Sequence, residues 1–119
     1  MEYLNYIIPA LVTLFFIQRL LPTKGVRQIT TTDLKAEIND KSKQFIDVRT
    51  PGEFRSNNIR GFKNIPLHQL AQKVNELSKD KEVVVICQSG MRSNKASKLL
   101  KKQGFKRIAN VKGGMSAWS

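Results

Sequence analysis

The sequence has one cysteine, one histidine and one tryptophan among its 119 residues. With Cys87 alone, no intramolecular disulfide can form. A small secreted domain stapled by disulfides is therefore excluded, and a reducing compartment fits. One cysteine and one histidine (His68) also fall short of the four Cys and His ligands of a structural zinc site, so neither metal nor cofactor is expected. Acidic residues are scarce, 9 against 21 basic, which gives a formal net charge of +12. Such an excess suits an anionic partner or merely a soluble lysine-rich surface, and it says nothing about fold. A stacking aromatic pattern and a recognised nucleic-acid motif are both missing, so no nucleic acid is expected as a partner. The length suits one domain rather than two. There is no internal repeat and no low-complexity tract.

Charge is missing altogether from residues 3–18, YLNYIIPALVTLFFIQ. A helix over residues 4–21 would be about 27 Å long at about 1.5 Å per residue. The hydrocarbon core of a bilayer is roughly 30 Å thick, and Pro9 is tolerated in a membrane helix. A cleaved signal peptide needs an early positive charge and a small-residue cleavage site, and the start Met1-Glu2 offers neither. A buried soluble helix would show a polar face, which this run lacks. The expectation is a transmembrane anchor with its flank over 1–22, a linker and edge strand over 23–29, and one folded domain over 30–119. Arg19, Lys24 and Arg27 follow the apolar run and no Lys or Arg precedes it. The positive-inside rule then puts the protein in the cell membrane as a single-pass chain, amino terminus out and folded domain in the cytoplasm. An anionic inner leaflet would attract its basic surface.

Beyond the linker, helix and strand signals alternate. Residues 28–29 suit a short edge strand. Thr31 or Thr32 can cap a helix containing Leu34 and Ile38. Residues 44–48 (QFIDV) read as a strand, and Pro51-Gly52 as a turn leading into one helical turn. Residues 64–65 suit a short strand ended by Pro66. Leu67, Leu70, Val74 and Leu77 follow helical spacing. The run KEVVVIC over 81–87 has the apolar, β-branched character of a strand buried on both faces of a parallel sheet. A helix is expected over 93–103, a last strand over 107–109 and a short helix after Gly113-Gly114. The fold class is α/β, a mostly parallel central sheet with helices on both faces, preceded by one transmembrane helix.

The chemistry concentrates where VVVIC ends. In an open α/β sheet, ligands bind beyond the carboxyl ends of the strands. Cys87 stands there, followed by Gln88, Ser89, Gly90, Met91 and Arg92 and a helix near Ser93. Loop amides and the helix N-terminus both favour thiolate over thiol, which makes the sulfur nucleophilic. Ser89 and Gly90 keep the loop small, and Arg92 supplies a cation suited to an oxyanion. A cysteine ending an apolar strand can also be a small buried hydrophobe; Met91 can be filler or rim, and Lys95, Lys98, Lys101 and Lys102 a solvated helix face.

From about Thr30 to Trp118 the chain resembles a single rhodanese domain. The matching pieces are residues 46–49 (IDVR) with Glu53-Phe54, residues 59–67 (IRGFKNIPL), the loop 87–93 (CQSGMRS), and Gly113-Gly114 with Trp118. Each piece alone is weak, and their order and spacing together are specific. The resemblance implies a sulfurtransferase. Cys87 attacks the sulfane sulfur of a small anionic donor such as thiosulfate, or of a persulfide, and becomes a persulfide. A thiol or cyanide then takes the sulfur, and the thiol can belong to a protein. Gln88, Ser89, Gly90, Met91, Arg92 and Ser93 would hold the substrate, with Arg92 on its anionic end. Asp47, Arg49 and Glu53 would brace the neighbouring loops. Asn57-Asn58-Ile59 stands where the family often has Gly-His-Ile, and Phe62 where it has alanine; neither touches the Cys87 loop.

Three rival functions differ in what they require. Cysteine phosphatases wrap phosphate with Cys-x5-Arg, whereas Cys87 and Arg92 are spaced as Cys-x4-Arg, one residue short. A membrane-tethered sulfur relay or docking module with little turnover of its own would keep Cys87 but not need a fast donor reaction. Nucleic-acid binding has charge in its favour and nothing else.

Overall fold

The computed structural model describes residues 2–20 and 24–119, without the side chains of residues 18–20. Five strands and six helices follow in the order α1 (Leu4–Leu20), β1 (Arg27–Ile29), α2 (Thr31–Glu37), β2 (Lys43–Asp47), α3 (Pro51–Ser56), β3 (Lys63–Asn64), α4 (Leu67–Lys73), β4 (Glu82–Ile86), α5 (Met91–Lys102), β5 (Ile108–Val111) and α6 (Gly114–Ala117). A 3-10 turn, Val74–Glu76, extends α4. The sheet order is β1-β5-β4-β2-β3, and each adjacent pair is parallel. All strands therefore present their carboxyl ends on one side, which is where Cys87 lies.

Alternation along β4 explains the two-layered core. Val83, Val85 and Cys87 face α4 and α5, against Leu70, Ala96 and Leu100. Val84 and Ile86 face the other way, against Leu34 of α2, Met115 of α6 and the loop residues Ile59 and Phe62. The four apolar residues of β4 have no exposed surface. Each such side chain contributes about 1.5–3 kcal/mol on burial. Helix starts are set locally. Thr30 and Thr50 each accept from the backbone N–H three residues on, and Asp33 and Glu53 reach back to the cap N–H, so α2 and α3 both begin with a capping box.

The expected transmembrane helix needs correction. A helix does form over Leu4–Leu20, but among the described residues no helix is long and apolar enough to cross a membrane. Its 17 described residues reach about 25 Å at about 1.5 Å each. Met1 and residues 21–23, which the expected anchor and linker included, lie outside the described residues. The apolar side chains of α1 are exposed, Tyr6, Ile8, Leu11 and Phe16 each by more than half of their surface.

Candidate active site

Cys87 follows β4 directly, and α5 begins at Met91, two residues earlier than the sequence pattern suggests. The reason is Gly90. It caps α5 in the left-handed conformation, φ 108°, with no side-chain hydrogen bond to announce the start. This turn points the Gly90 N–H at Cys87 Sγ, 2.9 Å away. As the thiol, Cys87 donates to Ser93 Oγ at 3.3 Å, and the Ser93 hydroxyl donates to the Gly90 carbonyl at 3.1 Å. The sulfur is thus held by a loop amide and a helix hydroxyl. The Cys87 side chain has no exposed surface and belongs to the apolar cluster beneath α5. Ser89 and Met91 form the outside of the loop, Met91 being 63% exposed.

On the β2 side, three of the expected supporting residues form one network. Arg49 and Asp47 are both buried, and the guanidinium grips the carboxylate with Nε on both oxygens and Nη2 on Oδ2 at 2.8 Å. Arg49 also donates to the carbonyls of Glu53 and Asn57 and to Gln88 Oε1. One side chain therefore ties the end of β2 to both ends of α3 and to the Cys87 loop. Asn64 of β3 closes the corner, donating to the carbonyls of Asp47 and Arg49.

Arg92 meets Glu53 rather than open space. Its Nη1 and Nη2 bond the two carboxylate oxygens at 2.6 and 2.9 Å. The Arg92 guanidinium, helped by Thr50, holds the Glu53 carboxyl down to about 2. Glu53 in turn raises Arg92. Glu53 does double duty here: it completes the Thr50 capping box and fixes the first turn of α5.

The carboxyl-terminal segment supplies the floor of the loop, which the sequence pattern does not reveal. Met115 N–H donates to the Cys87 carbonyl at 2.8 Å, and Ser116 donates to the Gln88 carbonyl through both N–H and hydroxyl at 2.9 Å. Gln88 Nε2 returns a bond to Ser116 Oγ. This approach needs Gly114. Its φ is +54°, and a Cβ there would sit 2.2 Å from the Cys87 carbonyl oxygen.

A buried cysteine, an amide aimed at its sulfur and an arginine-braced loop stand together where β4 ends. A family model described as the rhodanese-like domain matches residues 30–119. The chain belongs to the rhodanese-like family. This rhodanese-like domain is similar to the putative sulfurtransferase YtwF of Bacillus subtilis, 43% identical over 94 residues, which cover 78% of this chain and 90% of that protein. A sulfurtransferase of Allochromatium vinosum is 34% identical over 95 residues, 79% of this chain and 89% of the relative. Among solved structures, a rhodanese-like domain protein from Staphylococcus aureus matches with a TM-score of 0.73 at 34% identity, covering 79% of this chain and 92% of that one.

Proposed function

We propose that this rhodanese-like domain is a sulfurtransferase that carries sulfur as a persulfide on Cys87. The observation that carries the reading is the 2.9 Å approach of the Gly90 amide to Sγ at the junction of β4 and α5. Such a donor stabilises a sulfur anion, both before attack and as the persulfide. In the first step the Cys87 thiolate bonds to the sulfane sulfur of a donor such as thiosulfate or a small persulfide. The donor's S–S bond breaks, and sulfite or a thiolate leaves with the electron pair. A thiol, a protein thiol or cyanide then attacks the outer sulfur, and the pair returns to Cys87. Gln88 to Ser93 surround the transferred atom, and the donor's anionic end competes with Glu53 for Arg92. Asp47, Arg49 and Glu53 brace the loop and do no bond chemistry. Mass spectrometry after exposure to thiosulfate is expected to find one added sulfur on the parent and none on Cys87→Ala. An intact Cys87 that gains no sulfur from thiosulfate or from a small persulfide overturns the reading.

The burial of Cys87 favours a second reading, a sulfur relay with little turnover of its own. Under it, the persulfide forms but thiosulfate-to-cyanide turnover stays slow until a partner protein opens the loop.

α1 is proposed to attach the domain to the cell membrane, with the domain on the cytoplasmic side. Its exposed apolar surface and the basic residues that follow it support this. Full-length protein is expected in the membrane fraction, released by detergent, and a carboxyl-terminal reporter should behave as cytoplasmic. Recovery in the soluble fraction without detergent refutes the attachment.

A further inference from the structure

One face of α5 takes no part in the sulfur chemistry. Lys95, Lys98, Lys101 and Lys102 follow one another along the helix, and its 12 residues include no Asp or Glu. At about 100° per residue, Met91, Lys95, Lys98 and Lys102 fall within a stripe about 60° wide. The opposite face, with Ala96 and Leu100, is buried in the core. Among the described residues none of these lysines pairs with a carboxylate, unlike Lys43 and Lys63. Met91, at the head of the stripe, is 63% exposed. Every other exposed large apolar side chain among the described residues belongs to α1.

The stripe and α1 share one side of the molecule. Phe16 of α1 joins Gly90, Met91 and Lys95 around a cavity of about 460 Å³. Near the other end of α5, the Lys101 side chain lies over Gly25, where an added Cβ would meet its ammonium. A lone exposed methionine is ordinary on a protein surface, but Met91 continues the apolar surface of α1. Gln28 and Asn110, in register on β1 and β5, line the same cavity. Asn110 Nδ2 donates to Gln28 Oε1 at 3.0 Å, while Gln28 Nε2 and Asn110 Oδ1 have no partner among the described residues. A lining this polar suits water and lipid headgroups rather than acyl chains.

We propose that the α5 stripe is a second membrane contact, laid on an anionic phospholipid surface with the Cys87 loop at the lipid boundary. The proposal rests on attachment through α1 and goes beyond it by fixing which face of the domain lies down. α1 and Met91 enter the interface, and Lys95, Lys98 and Lys102 meet the phosphates. Met91 directly follows Gly90, whose N–H rests on Cys87 Sγ, so the site itself stands at that surface.

Full-length protein is titrated with vesicles of phosphatidylcholine alone and of phosphatidylcholine with phosphatidylglycerol. Lys95→Gln, Lys98→Gln and Lys102→Gln should each lower partition into the anionic vesicles about fivefold, and together about 100-fold. Partition into the neutral vesicles should hardly change. A control triple, Lys41→Gln with Lys81→Gln and Lys106→Gln, removes the same charge from exposed sites elsewhere. It should lower anionic partition less than about fivefold in all. Equal losses in the two triples, no loss in the first, or equal partition of the parent into both vesicle types overturns the proposal. Met91 is read directly with a polarity-sensitive dye on Met91→Cys in full-length Cys87→Ser protein, beside Lys41→Cys in the same background. Anionic vesicles should shift the dye at position 91 to the blue and leave that at position 41 unchanged. A dye at position 91 that stays in water on vesicle-bound protein overturns the stripe and leaves the α1 attachment standing. Protein that binds neither vesicle refutes the attachment, and the stripe falls with it.

Discussion

On the β2–α3 side of the Cys87 loop, Asp47, Arg49, Glu53 and Arg92 are paired in two ion pairs, whereas on the β1–β5 side Gln28 and Asn110 each keep a polar atom unmet. Both sides touch the same loop, one through Gln88 and Arg92, the other through Ser89 and Gly90. The Asp47–Arg49 pair fixes geometry because losing either partner leaves a buried charge behind. An open dyad fixes little and leaves hydrogen-bonding capacity to be used by something else. The loop is thus held rigidly on one side and left receptive on the other.

The heaviest blow to this contrast is Arg49→Met. It strands the Asp47 carboxylate, whose side chain is 1% exposed, and is expected to cost about 3–5 kcal/mol in chemical denaturation. Gly114→Ala comes next, because it pushes the floor against the loop from below. A left-handed residue with an overpacked Cβ against backbone should lose about 2–4 kcal/mol, together with sulfur uptake. If the variant keeps parental uptake and stability, the floor is not rigid.

Glu53→Gln has a smaller effect, because the ion pair is about one-third exposed. The change leaves the Thr50 cap feasible and removes only the charge. At neutral pH the loss should stay below about 1 kcal/mol. The Glu53 carboxyl lies at about 2 in the fold against an ordinary 4.5. Its contribution is therefore complete above about 4.5 and fades as pH falls toward about 2. The stability gap between parent and variant should close over that window, and a gap unchanged at pH 2 would show that charge is not its source. Smallest of all is the double change Gln28→Met with Asn110→Leu. Replacing both partners by apolar groups of similar shape should leave stability within about 1 kcal/mol of the parent, or raise it. A large loss would mean that the dyad is structural and the two sides are alike.

Much of this arrangement was legible in the chain because it is local. The apolar run ending at Cys87 and the glycine-bearing loop each announce themselves within a few residues, whereas the cap expected at Thr31 or Thr32 falls on Thr30, and the cap at Thr50 was not foreseen. The start of α5 was misplaced because Gly90 sets it through backbone conformation alone. The engagement of Arg92 by Glu53 was not foreseen, since 39 residues separate them. Gln28 and Asn110 were missed for the same reason, lying 82 residues apart. Neither looks unusual until a parallel sheet sets them side by side. The helix expected over residues 4–21 forms over Leu4–Leu20, with residue 21 outside the described residues, and what the pattern overstated is its capacity to cross a membrane.

The position of β1 has a consequence for biosynthesis. Among the described strands it is the first made, yet its neighbour in the sheet is β5, the last of them. Translation proceeds at roughly 5–20 residues per second, so the edge strand waits roughly 4–16 s before its partner leaves the ribosome. Throughout that interval α1 is already outside the exit tunnel with its apolar surface uncovered. Whatever receives α1 therefore meets it before the five-stranded sheet of the rhodanese-like domain can close.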